Sequence, residues 1–139
     1  MSATALAVLG YIGWTLVLIV MNEALRSYVV LSGRKASSSF SPDGSDVSPF
    51  AHRLARAHAN CYESFPIIGG LLLLALATGQ TSVTDTLALW VLAARVAQSS
   101  THLISTSNLA VNIRFAFFAM QLVVAMWWTI QFLVQWPAA

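Results

Sequence analysis

Arg53, Arg56, Asn60 and Glu63 follow one another at intervals of three, four and three residues. At about 100° per residue they fall within an arc of roughly 80° on one helix face. The stretch that carries them, HRLARAHANCYESFP (52–66), opens a long apolar run. A polar stripe that narrow, on a helix in a bilayer, has to look into a protein interior or a wet cavity. A second stripe, Arg95, Gln98, Ser99, His102 and Thr106, lies within roughly 120° on a later helix. Asn112 and Arg114 follow, and Gln121 nearly eclipses Arg114 two turns on.

The charge balance of these groups indicates their chemistry. Arg26, Arg34, Lys35, Arg53, Arg56, Arg95 and Arg114 outnumber Glu23 and Glu63, the carboxylates in the body of the apolar segments. Arginine in excess beside apolar surface calls for an anion, and its planar fork binds carboxylates bidentately. A lone carboxylate among those cations, Glu63, would hold an amino group. A small anion with carboxylates and one amine therefore fits. The alternative is a charge-paired polar layer that only holds the helices together. Glu23 and Arg26 either pair near the membrane surface or leave Arg26 free to reach toward Glu63, since Asn22 and Arg26 share a face.

Such stripes need helices to carry them, and composition supplies the setting. Of 139 residues, 58% are hydrophobic and 9% charged, against about 25% charged in soluble domains, so the chain reads as an integral, multi-pass membrane protein associated with the lipid bilayer. Four segments approach the roughly 20 residues a bilayer requires, at about 4–31, 49–77, 84–104 and 111–136. The whole chain, 1–139, reads as a single domain. The first link, SSSFSPDGSDVSP (37–49), has loop composition and ends in Ser48-Pro49, an N-cap followed by proline at the first helical position. TGQTSVT (78–84) and Ser107-Asn108 mark the other two links. Short links make successive helices antiparallel neighbours, so the fold class is all-α, a membrane four-helix bundle.

Lysine and arginine flank the first and third links, and the second link and both termini have none. The positive-inside rule then places those two links in the cytoplasm and both termini outside. Trp14, Trp90, Trp127, Trp128 and Trp136 are available as interfacial anchors or as packing. The opening MSATALAVLGYIGW lacks a basic leader and reads as a mature first span. A net charge of +2 without a basic tail gives no reason to expect nucleic acid. One cysteine, Cys61, rules out an internal disulfide and a Cys-based metal cluster, and three histidines without matching carboxylates do not make a metal site. His52 reads as interfacial, His58 as packing, Cys61 as an inert buried thiol, and Pro66 as a kink beside the stripe.

The pattern Arg53-x-x-Arg56-Ala57-His58-x-Asn60-Cys61-x-Glu63-x-x-Pro66 resembles the second-helix signature of the MAPEG family, the membrane-associated proteins of eicosanoid and glutathione metabolism. Arg-x-x-x-Asn-x-x-Glu is its specific part. RVAQSSTHL together with RFAFFAMQ looks like a bacterial branch, which implies a bacterial inner membrane. The resemblance covers essentially the whole chain. It implies a homotrimer with glutathione, or another low-molecular-weight thiol, bound between neighbouring subunits near the cytoplasmic side. Carried over by position, Arg56, Asn60 and Glu63 would bind the glutathione backbone, joined by Arg53, Arg95 and the Arg34-Lys35 pair. Arg114 would stabilise the thiolate, the reacting nucleophile. His102 stands where many relatives carry a tyrosine, and would take its place beside the sulfur. The resulting expectation is a membrane-embedded glutathione transferase or peroxidase acting on a hydrophobic electrophile. A non-catalytic lipid-binding or scaffold member is the alternative. A small cation exporter would need an uncompensated carboxylate, and here arginines are in excess.

Overall fold

The computed structural model describes residues 1–135. Trp136, read above as an anchor and as the end of the fourth span, lies outside the described residues. The described chain forms four helices without a strand: α1 (Ala3–Leu31), α2 (Pro49–Thr78), α3 (Asp85–Ile104) and α4 (Asn108–Gln135), with a single 3₁₀ turn at Thr81–Val83. Three of them, α1, α2 and α4, are long and apolar enough to cross a membrane. The protein is an all-α, integral membrane four-helix bundle. Helix α3 is absent from that set for a chemical reason. Its 20 residues would reach about 30 Å, but its second half carries Arg95, Gln98, Ser99, Ser100, Thr101 and His102.

Local chemistry sets the helix ends. The Ser48 hydroxyl accepts from the Ala51 amide and Pro49 takes the first helical position of α2, where no backbone N–H is needed. Gly79, at φ +69°, ends the same helix in the left-handed conformation that a side chain would oppose. Ser2 caps α1 by accepting from Ala5. A second α1 amide, that of Thr4, is satisfied from across the bundle: Asp85 Oδ1 accepts from it at 2.8 Å and from the Thr4 hydroxyl at 2.7 Å. The Thr84 hydroxyl lies 2.7 Å from that of Thr4. One carboxylate thus sits between the N-termini of α1 and α3, where both helix dipoles favour negative charge.

The link between α1 and α2 is ordered by its own polar groups. Asp43 accepts from the Ser41 and Ser45 hydroxyls and from the Ser45 amide, and these bonds hold its carboxyl well below the usual carboxylate range. Lys35 pairs with Asp46, which also accepts from the Ser41 amide, and Asp46 is likewise lowered. Arg26 pairs with Glu23 at 3.7 Å and lies 5.7 Å from the Phe40 ring centre. It therefore stays at the surface and does not reach the Glu63 stripe.

Helix α1 packs on α2 and α3, α3 also packs on α2 and α4, and α4 leans more lightly on α2. Alanines at 7, 51, 57, 75, 88, 94 and 125 are buried, which lets the backbones approach closely, the usual basis of helix association in lipid. Tyr11, Leu18, Leu54, Ile68, Leu72, Val91, Trp128 and Phe132 fill the space between them. The outer face of α4, including Phe115, Val123, Trp127 and Leu133, is exposed.

Candidate functional site

The polar half of α3 faces the bundle interior. Arg95 is 0% exposed and forms no ion pair among the described residues. Its Nη1 donates to Asn60 Oδ1 at 2.6 Å and to the Asn60 carbonyl at 3.3 Å. The guanidinium lies 5.6 Å from the centre of the Tyr11 ring, a cation–π contact that eases its burial. The Tyr11 hydroxyl donates to the Cys61 carbonyl at 2.9 Å and lies 3.1 Å from Ser64 Oγ. Cys61 Sγ and Ser99 Oγ approach to 3.2 Å. Cys61 is therefore enclosed in α2–α3 packing.

From Asn60 the network runs on toward α4. Gln98 Nε2 donates to Asn60 Oδ1 at 3.0 Å, and Gln98 Oε1 accepts from Gln121 Nε2 at 2.9 Å. Gln121 Nε2 also donates to the Phe117 carbonyl at 2.8 Å. Three helices are thereby joined by buried Arg95, Gln98 and Gln121 and by half-buried Asn60. Arg95 Nε and Nη2 and Gln121 Oε1 are sealed in without a protein partner.

Over this network lies a groove of about 250 Å³. Arg56 and Asn60 from α2, Gln98 and His102 from α3, and Arg114, Val111, Phe115 and Phe118 from α4 line it. His102 sits in the positive field of Arg114 and Arg56. A second recess of about 130 Å³ adjoins it, lined by Asn60, Glu63, Ser64, Ile67, Phe118 and Leu122. Asn60 and Phe118 belong to both. Each recess is smaller than the roughly 300 Å³ at which small-molecule sites begin, and both are open at the side. Glu63 forms no ion pair among the described residues and is exposed, as is Arg56.

The structure thus brings together Arg56, Asn60, His102 and Arg114, with Glu63 one turn along α2. It does not bring the other expected ligand contacts into that groove within one chain. Arg53 donates through Nε to the Leu103 carbonyl at 2.9 Å and lies over Phe50. It closes the C-terminus of α3, where carbonyls lack helical partners and a cation is favoured. Arg34 stacks on Tyr28 and lines a separate hollow with Lys35 and Asp46. Arg95 lies beneath the groove and reaches it only through Asn60. Gln98, Gln121 and Phe118 were not among the candidate site residues. The two glutamines fall on the faces of Arg95 and Arg114 by helical spacing, and that was their signal; nothing in the sequence marked Phe118. Among the described residues no cluster of His, Cys, Asp or Glu is placed to hold a metal ion.

The model of the MAPEG family matches residues 4–134. The protein belongs to the MAPEG family. Comparison with curated proteins returned no match, and comparison with solved structures returned none either. MAPEG membership supports, at the level of the family, a membrane protein of glutathione-related transferase or peroxidase function, or one related to it. MAPEG proteins generally use glutathione.

Proposed function

We propose that this MAPEG protein binds glutathione, or another low-molecular-weight thiol, along the α2–α4 groove and activates the thiol against a hydrophobic electrophile arriving from the lipid. The observation that carries this reading is the convergence of Arg56, Asn60, His102 and Arg114, from three helices, on one open groove. The donor set fits the ligand. Arg56 offers a cation to a ligand carboxylate, and Glu63 offers a carboxylate to its one ammonium group. Glutathione supplies the thiol nucleophile. Arg114 holds a fixed positive charge on the groove wall that favours the thiolate, and His102 offers a ring nitrogen beside it. Phe115, Phe118 and Val111 give the electrophile an apolar surface.

The small volume and open side of the groove support a homotrimer in which a neighbouring copy closes it. Arg34 and Lys35, displaced from the groove within one chain, would then serve the neighbour's site. All four helices would span the membrane, in the bacterial branch the inner membrane, with both termini outward and the groove near the cytoplasmic side, an orientation the lysine and arginine distribution supports.

The test is calorimetric titration of the detergent-solubilised protein with glutathione, with an ultraviolet thiolate scan alongside. Saturable binding with a thiolate signal at neutral pH is expected. Arg56→Ala and Glu63→Ala should abolish binding in a folded bundle, whereas Arg114→Ala should retain binding and lose the thiolate absorbance. Retained binding in both of the first two variants would refute the assignment. Binding without thiolate in the wild type would identify a member that holds the thiol without activating it, the lipid-binding or scaffold alternative.

A further inference from the structure

Asn60 lies where the buried network meets the groove, and its two side-chain atoms have different fates. Oδ1 accepts from Arg95 Nη1 at 2.6 Å and from Gln98 Nε2 at 3.0 Å, which uses both of its lone pairs. Among the described residues no acceptor takes a bond from Nδ2, and that atom is not one of those sealed without a partner. Asn60 lines both recesses.

The orientation of this amide follows from chemistry at both ends of the chain of bonds. A guanidinium has five donors and no acceptor, so the Asn60 atom facing Arg95 must be the oxygen. The Gln98 atom facing that oxygen must then be its nitrogen, which leaves Gln98 Oε1 to accept from Gln121. At the far end Gln121 Nε2 faces the Phe117 carbonyl, which can only accept. A donor-only group and an acceptor-only group thus terminate the ladder in the same sense. Reversing any one amide would set nitrogen against nitrogen or oxygen against oxygen inside the bundle.

We propose that Arg95, Gln98 and Gln121 are positioning residues that lock Asn60 as a hydrogen-bond donor toward the groove, so that this part of the site selects a ligand group that only accepts, a carboxylate or peptide carbonyl. The buried Arg95 charge behind Asn60 polarises its amide and strengthens that donor. The identity of the ligand rests on the glutathione reading above; the polarity of the amide does not.

Asn60→Asp tests the ligand side. It keeps acceptors for Arg95 and Gln98, gives the buried guanidinium a counter-charge, and removes both donors from the groove. The melting temperature is expected to hold or rise while glutathione binding weakens at least about tenfold. Binding equal to wild type would overturn the proposal. Arg95→Met should weaken binding in the native background and add nothing to the loss in Asn60→Ala, with Arg95→Lys recovering part of it. An equal loss in both backgrounds would show Arg95 to be only structural. A ligand-free measurement separates this proposal from the glutathione reading: hydrogen exchange of the side-chain amides in protein labelled with ¹⁵N at Asn and Gln. The Asn60 pair is expected to exchange freely and the Gln98 and Gln121 pairs to be protected. A protected Asn60 pair would overturn the locked polarity whether or not glutathione binds.

Discussion

Replacing Asp85 should loosen the bundle at one end and leave the groove at the other intact. Its Oδ1 accepts from the amide and the hydroxyl of Thr4, which is fully buried. In Asp85→Ala the Thr4 hydroxyl still has Thr84 at 2.7 Å, so the main orphan is the Thr4 amide. A buried donor without a partner costs about 1–3 kcal/mol, and a carboxylate between two helix N-termini contributes about 0.3–1 kcal/mol at each. The expected loss is therefore about 3 kcal/mol. Asp85→Asn keeps an acceptor and gives up only the charge, for an expected loss of about 1 kcal/mol. Reversible denaturant titration in detergent micelles measures both. Asp85 and His102 are about 25 Å apart along α3, so glutathione affinity at low temperature should stay within about twofold of wild type. If Asp85→Ala were as stable as wild type, or Asp85→Asn as damaging as Asp85→Ala, the cross-bundle cap would be refuted.

Three further outcomes are expected. Gly44→Ala should destabilise the first link by about 1–2 kcal/mol, because Gly44 sits at φ +67° and an added Cβ would lie 2.9 Å from the Ala51 carbonyl oxygen; an unchanged denaturation midpoint would contradict this. Arg53→Gln should cost about 1 kcal/mol of stability through the freed α3 terminus and leave glutathione affinity within about twofold; a large loss of affinity would instead make Arg53 a ligand contact. Asp43 and Asp46 are lowered in the folded link, so their stabilisation is present above the ordinary carboxylate pKa of about 4 and fades as pH falls through the lower folded values. Limited proteolysis of the link should be constant from pH 7 to 5 and quicken only below about 4, and Asp43→Asn should already be cleaved faster at pH 7.

Hydropathy and helical spacing made the all-α membrane bundle legible, because in lipid the backbone must satisfy itself within each segment. Spacing also put Arg56 and Asn60 on one face, and Arg95, Gln98 and His102 on another. What periodicity cannot do is separate a residue that looks into the groove from one beneath it or beyond its end. Arg53 shares the angular stripe with Arg56, but one turn earlier it meets the unpaired carbonyls of α3. Arg95 shares a face with His102, but two turns deeper it is wholly enclosed. Depth along the axis, set by how the helices are staggered, decides such cases, and stagger has no local signature. The pairing of Asp85 with Thr4 was hidden for the same reason: 81 residues separate the two.

The enclosure of Arg95 bears on how the protein is made. An arginine at the centre of a lone helix opposes its insertion by about 2.5–3.5 kcal/mol, and α3 is the one helix of the four not apolar enough to cross on its own. Its guanidinium donates through Nη1 to Asn60 on α2 and lies over the ring of Tyr11 on α1, both of which leave the ribosome before it. The first hairpin thus already carries the groups that contact Arg95 when α3 is made, and α4, with Gln121, is made last.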